Sequence, residues 1–236
     1  MMTTSSSDQL ASTRARWRMA GTVLVVAALG WFVLEALAAA RFPGYSYIRN
    51  YISDLGVPDL GVFQGRAMDS QLSLVANVMF CTQGLLFLLA AGLVVTTAKG
   101  GAARWVFLLF AVGYAIGYGL IGAFHGSQQA AADGTFALHV LGGSTAVICG
   151  NVAIIIAGLF AHRLGAPAAY RNFSVGISAL GIASLAVLVA SSGRDPLSLL
   201  PSGPFDGVLE RGGCYALILW ELVTGVVLLS AGRPRE

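Results

Sequence analysis

Six apolar segments, near residues 19–40, 72–97, 104–124, 139–160, 172–192 and 209–230, constrain this chain more than any other feature. Each supplies the roughly 20 helical residues needed to cross a bilayer core of about 30 Å. Lipid offers no water to backbone N–H and C=O groups, so such segments must be helical. The ten-residue alternation of a membrane barrel is absent. The expected fold is all-α, a polytopic membrane protein built as a single six-helix bundle. Only 11% of residues are charged, so each charged side chain close to a span stands out as a candidate for chemistry.

Lys and Arg in the short connections orient the bundle. One side holds Arg14, Arg16, Arg18, Lys99, Arg104, Arg163, Arg171, Arg233 and Arg235; the other holds Arg41, Arg49, Arg66, Arg194 and Arg211. This bias places both termini in the cytoplasm, with the plasma membrane as the expected location. Residues 1–18, Ser- and Thr-rich at the start, read as a disordered cytoplasmic tail, 19–230 as the helical domain and 231–236 as a short cytoplasmic tail. The alternative for the first segment is a secretory signal cleaved after Ala38-Ala39-Ala40. A retained helix fits better, since the apolar run is long and carries Glu35.

The net charge of +3 reflects the positive-inside bias. No basic patch with interleaved aromatics is present, so no nucleic-acid partner is expected. Walker, Rossmann and nucleophile-elbow motifs are also absent. Three cysteines, Cys81, Cys149 and Cys214, read as small apolar residues rather than a disulfide framework. Small residues four apart, Gly113 and Gly117 in the third segment and Gly142, Ala146 and Gly150 in the fourth, predict a close crossing of those helices.

The ionisable residues gather at the outer ends of the helices. Arg49-Asn50-Tyr51-Ile52-Ser53-Asp54-Leu55-Gly56 follows the first span, His125 closes the third, His139 opens the fourth, and Glu210 and Arg211 open the sixth. Glu35 lies about 9 Å below the interface, where a carboxylate needs a partner, and Arg49 or Arg211 is the natural one. Asn77 enters at a similar level. In the loop, Ser53 or Asp54 caps a turn and Gly56 permits positive φ. These residues predict either a salt-bridged lid of Arg49, Asp54, Glu210 and Arg211 or a ligand-binding cup of Glu35, Arg49, Asn50, Ser53, Asp54, Asn77, His125, His139, Glu210 and Arg211. A deeper intramembrane polar set, Gln83, Asn151 and Glu221, lies about 16 to 18 Å from the outer helix ends.

His125 and His139 with Asp54 present two nitrogens and an oxygen, a donor set able to hold Zn²⁺ with one position open. Glu35 is then the candidate general base, and Glu35 and Asp54 are the candidate catalytic carboxylates. Neither spacing is a recognised metal motif, so no cofactor is firmly expected.

Ile52-Ser53-Asp54-Leu55-Gly56, the flanking histidines and Leu209-Glu210-Arg211 resemble a bacterial and archaeal six-helix membrane family of unknown function, domain of unknown function 998. The Ile-Ser-Asp-x-Gly turn is also similar to the first outer loop of the eukaryotic Frag/DRAM/Sfk proteins, where proline precedes it and this chain has Tyr51. The resemblance implies a function tied to membrane lipid. With Tyr45, Tyr47, Tyr51 and Phe63 bordering the cup at headgroup level, the leading expectation is a non-enzymatic protein that binds or organises lipid. The alternatives are a metal-dependent lipid hydrolase or transferase and, through Glu221, a proton-coupled carrier. Expected partners are membrane lipid, a second copy of the chain, or another membrane protein.

Overall fold

The structure is a computed structural model that describes residues 6–97, 101–163, 166–191 and 201–231. Its elements run in chain order α1 (Ser6–Ala40), a 3₁₀ turn (Ser53–Gly56), β1 (Gly61–Phe63), β2 (Arg66–Met68), α2 (Ser73–Val95), α3 (Gly101–Ala123), α4 (Gln128–Asp133), α5 (Phe136–Arg163), α6 (Ala168–Ser191) and α7 (Asp206–Ala231). The six long helices are apolar enough to cross a membrane, and they match the six expected spans. α1 packs on α2, α2 on α3, α3 on α5, α5 on α6, α6 on α7, and α7 closes back on α1. The bundle is thus a ring in sequence order. Six antiparallel long helices bring the start of α1 and the end of α7 to one side; the opposite side, carrying residues 41–72, is called the loop face below.

The expected disordered tail is corrected for residues 6–18, which continue α1 outward. Gln9, Leu10, Ala11, Arg14 and Ala15 are good helix formers, and Asp8 in the first turn complements the helix dipole, so propagation from the span costs little. Trp17 donates to Thr97 Oγ1 at 2.9 Å and ties this end of α1 to the end of α2. Residues 1–5 and 232–236, and with them Arg233 and Arg235, lie outside the described residues, as do Lys99 and Arg194.

The pattern of burial is that of a protein dissolved in lipid. α6 turns Ser174, Ser178 and Gly181 inward while Leu180 and Val187 are exposed. With no hydrophobic force between helices in lipid, small residues let backbones approach and hydrogen-bond. The α3–α5 crossing expected from glycine spacing is present: a Cβ on Gly117 would stand 2.5 Å from Ala146 N and 2.7 Å from Gly142 O. A second close pair, Gly21 with Gly225, joins α1 to α7. The centre of the ring is aromatic, with Trp31, Phe87, Tyr114 and Tyr118 in contact; the Trp31–Tyr118 and Tyr114–Tyr118 centroids are 5.4 and 4.8 Å apart.

On the loop face, β1 and β2 form a two-stranded antiparallel hairpin pairing Phe63 with Arg66. Its two-residue turn, Gln64-Gly65, has φ of 49° and 76°. Positive φ at both positions is the primed-turn geometry that matches strand twist. The loop expected between the histidines contains a short helix, α4, capped by Ser127 Oγ accepting from Ala130 N and closed by Gly134 at φ 84°.

Candidate functional site: a cavity under the loop face

Folding of the loop is organised by two buried ion pairs. Glu35, 1% exposed, accepts from Arg211 Nε at 3.2 Å and Nη2 at 3.0 Å, from Trp31 Nε1 at 3.0 Å, and from the Tyr215 hydroxyl at 2.9 and 3.0 Å. Arg211 also donates to the carbonyls of Tyr47, Asn50 and Gly207 and to the Tyr45 hydroxyl. Every polar atom of this pair is thereby used inside the protein, which a charge held out of water requires. Burial raises the Tyr45 phenol above its ordinary range, so it remains a neutral donor to the Tyr51 carbonyl. Of the two cations expected for Glu35, Arg211 is the partner. Arg49 is exposed, so the four-residue lid expected around it does not form.

The second pair is Asp54 with Arg66, a residue outside the expected cup. The guanidinium meets the carboxylate in a fork, Nε to Oδ2 at 2.8 Å and Nη2 to Oδ1 at 3.1 Å. Asn50 Nδ2 and Tyr51 N also donate to Asp54 Oδ2, both at 3.1 Å. The Arg66 carbon lies 4.3 Å from the Tyr51 ring centre, a cation–π contact. The hairpin turn is what delivers Arg66 to Asp54, and the carboxylate in return fixes residues 50–54. Glu210, on α7, accepts from Ile52 N at the start of the 3₁₀ turn. Asp206, at the start of α7, accepts from the Tyr51 hydroxyl at 2.9 Å and from Gly203 N at 2.8 Å. Burial, with Asp206 adding to it, raises the Tyr51 phenol and keeps it a donor.

Gly56 is not at positive φ, contrary to expectation. Glycine is favoured there by proximity, since a Cβ would lie 2.3 Å from Asn77 Oδ1 and would displace that amide. Asn77 Nδ2 donates to the Gly56 carbonyl at 2.9 Å and lies 3.1 Å from His125 Nε2. A carbonyl only accepts, so the amide orientation is fixed and His125 Nε2 must be an acceptor on a neutral ring. Burial agrees, pushing the His125 imidazole below its usual range. His139 Nδ1 donates to the Phe124 carbonyl at 2.9 Å, which leaves Nε2 as its lone-pair nitrogen.

Between α5, α6 and α7, beneath the loop, lies a cavity of about 330 Å³. Its polar end is formed by Tyr51, Ser53, Asp54, Arg66, His139, Asp206 and Glu210. Its apolar wall includes Ile121, Val140, Val147, Leu185, Val189 and Leu209. Ser53, Asp54, His139 and Glu210 from the expected cup therefore meet at this void. Glu35, Asn50, Asn77, His125 and Arg211 do not line it, and Arg49 is exposed.

The zinc arrangement is not formed. Among the described residues no three His, Cys, Asp or Glu side chains converge on a metal position. The physical reason is that Asp54 is spent on Arg66 and His125 Nε2 on Asn77. Glu35, the candidate base, is enclosed by Arg211, Tyr215 and Trp31. The deeper set divides. Gln83 Nε2 donates to both Glu221 oxygens at 2.8 and 2.7 Å, whereas Asn151 bonds the carbonyls of Val147 and Gly213 and carries Ser178 on its own carbonyl.

Arg66, Asp206 and Tyr215 are the site residues that lie outside the expected cup and its aromatic border. The readable signal for Arg66 was the Gln64-Gly65 turn between apolar-alternating flanks. Asp206 and Tyr215 carried none, because an acidic residue in the first turn of a helix and a tyrosine near a membrane surface are both ordinary.

No curated protein and no solved structure matches the chain. The profile of the family described as "Protein of unknown function (DUF998)" matches residues 25–227, from the first spanning helix into the last. The chain is a member of that family.

Proposed function

We propose that this membrane protein binds lipid in the cavity under the loop face, and that this face points away from the cytoplasm at the plasma membrane. The observation that carries the proposal is the cavity's mixed lining, charged and hydrogen-bonding side chains from the loop and helix termini together with apolar side chains of α3, α5, α6 and α7. That is the profile of an amphiphile lying with its head at the interface and its chain in the hydrocarbon. The volume falls near the lower limit of ligand sites, about 300 to 1,000 Å³, which suits a headgroup with part of one chain. The positive-inside bias supports the orientation.

Gly143 supplies the test, because it lines the cavity and a Cβ there meets nothing within 4 Å. Gly143→Phe fills space without moving backbone. Gly176→Phe, at an exposed α6 position with the same freedom, is the control. Native mass spectra of the two proteins in mild detergent should show bound lipid lost from the first and kept by the second. Equal lipid on both would refute the proposal.

A second reading, a proton-coupled carrier, draws on Glu221, which is 0% exposed and takes its hydrogen bonds from the neutral Gln83 amide. An intramembrane carboxyl without a cationic partner is a candidate proton site. Proteoliposomes enclosing a pH-sensitive dye should lose proton flux with Glu221→Gln; flux equal to wild type would end this reading.

A further inference from the structure

The cavity's hydrogen-bonding inventory is one-sided. Its cation, Arg66, is committed inside the wall, with Nε and Nη2 on Asp54 and further contacts to Gln64 Oε1 at 3.3 Å. The Tyr51 hydroxyl is committed to Asp206. The acceptors are less fully used. Asp206 and Glu210 receive only hydroxyl and backbone donors, and neither has a cation within ion-pairing distance among the described residues. His139 offers Nε2 as a lone pair, with Nδ1 held by Phe124, and no described residue donates to it. The Ser53 and Ser144 hydroxyls serve either role. With Asp54 cancelled by Arg66, the described lining carries two carboxyl groups without a direct ion pair, Asp206 and, in the field of the neighbouring Arg211, Glu210, and an imidazole acceptor.

Building on the lipid-binding reading above, we infer that the cavity selects amphiphiles whose head is a primary ammonium group. Such a head brings three N–H donors and one positive charge to a site that supplies acceptors and negative charge. Asp206 and Glu210 are its counter-charges and His139 Nε2 a third acceptor. An anionic head would meet two carboxyl groups of like sign, with no uncommitted cation among the described lining residues to receive it, a juxtaposition that opposes binding. A neutral alcohol would satisfy one acceptor and leave the charge uncompensated.

Three probes of equal chain length separate the possibilities: dodecylamine, dodecanol and dodecanoate, each added to the full-length protein in lipid nanodiscs and followed by native mass spectrometry and thermal shift. The amine is expected to bind on the order of tenfold more tightly than the alcohol, and the acid least. Asp206→Asn and Glu210→Gln should each shrink the preference for the amine, and Gly143→Phe should abolish retention of both. Because Glu210 also holds the loop, Asp206→Asn is the variant of record if Glu210→Gln fails to fold. Equal retention of alcohol and amine overturns the charge selection while leaving lipid binding intact. Preference for the acid overturns it as well. Retention of none of the three overturns both readings, and amine retention unchanged in Gly143→Phe marks partition into the surrounding lipid and overturns the site.

Discussion

Removing Arg211 alone should be at least as damaging as removing both members of its ion pair. In Arg211→Met, Glu35 stays buried at 1% exposure with only Trp31 and Tyr215 donating, and the carbonyls of Tyr47, Asn50 and Gly207 lose a shared donor. Stripping one partner from a buried ion pair costs about 3 to 5 kcal/mol. In Glu35→Gln, the amide oxygen still accepts from Tyr215 or Trp31, and Arg211 keeps three carbonyls and the Tyr45 hydroxyl. That loss should be about 1 to 3 kcal/mol. The double variant has neither charge, so its cost should be no more than that of Arg211→Met alone, giving a coupling of at least about 1 kcal/mol. The assay is a denaturant titration of the four proteins in mixed micelles, followed by tryptophan fluorescence, with Trp31 reporting directly on the pair. Additivity of the single losses to within about 0.5 kcal/mol would refute the claim that Arg211 and Glu35 form one electrostatic unit.

Acid should loosen the loop through His125. Its ring is neutral in the fold, with a pKa lowered by burial, while in the unfolded chain it titrates near about 6.5. The unfolded state therefore binds more protons below that pH, and stability present above it is lost as pH falls toward the folded value. Thermal shift between neutral pH and about pH 5 should show a drop that His125→Gln reduces; an identical drop in the variant would remove His125 as the cause. Gly117→Val places carbon into the α5 backbone at the Ala146 contact and should cost at least about 1 to 3 kcal/mol by overpacking. Gly119→Val, where a Cβ meets nothing within 4 Å, should cost much less, and equal melting of the two variants would argue against the close crossing.

What could be read in advance divides along the line between composition and geometry. The spans followed from hydropathy because lipid allows only one backbone solution for an apolar run of that length. The α3–α5 crossing followed from glycine spacing because close approach in lipid has few other causes. Residues 6–18 are polar enough to suggest disorder, yet a helix already nucleated by a span propagates through a sequence without strong breakers. The polar residues posed a different problem. Depth along a helix is a matter of counting, so Glu35 and Arg211 could be placed at one level before their contact was known. Which side of the helix a residue faces toward which neighbour depends on the ring order, and that is set by packing over the whole bundle. Asp54 and Arg66 show the sharper limit. They are 12 residues apart in one connection, and their pairing rests on a two-residue turn whose Gln64-Gly65 sequence is a weaker cousin of the Asn-Gly turns that announce hairpins. Missing that turn changed the chemistry assigned to Asp54, from metal ligand to salt-bridged anchor. It also moved the centre of the site from the Glu35–Arg211 pair to the cavity beside Asp206 and Glu210. Of the polar residues visible in the sequence, Glu35, Asp54 and Arg211 hold the loop in place, while Glu210 and His139 line the cavity together with Asp206.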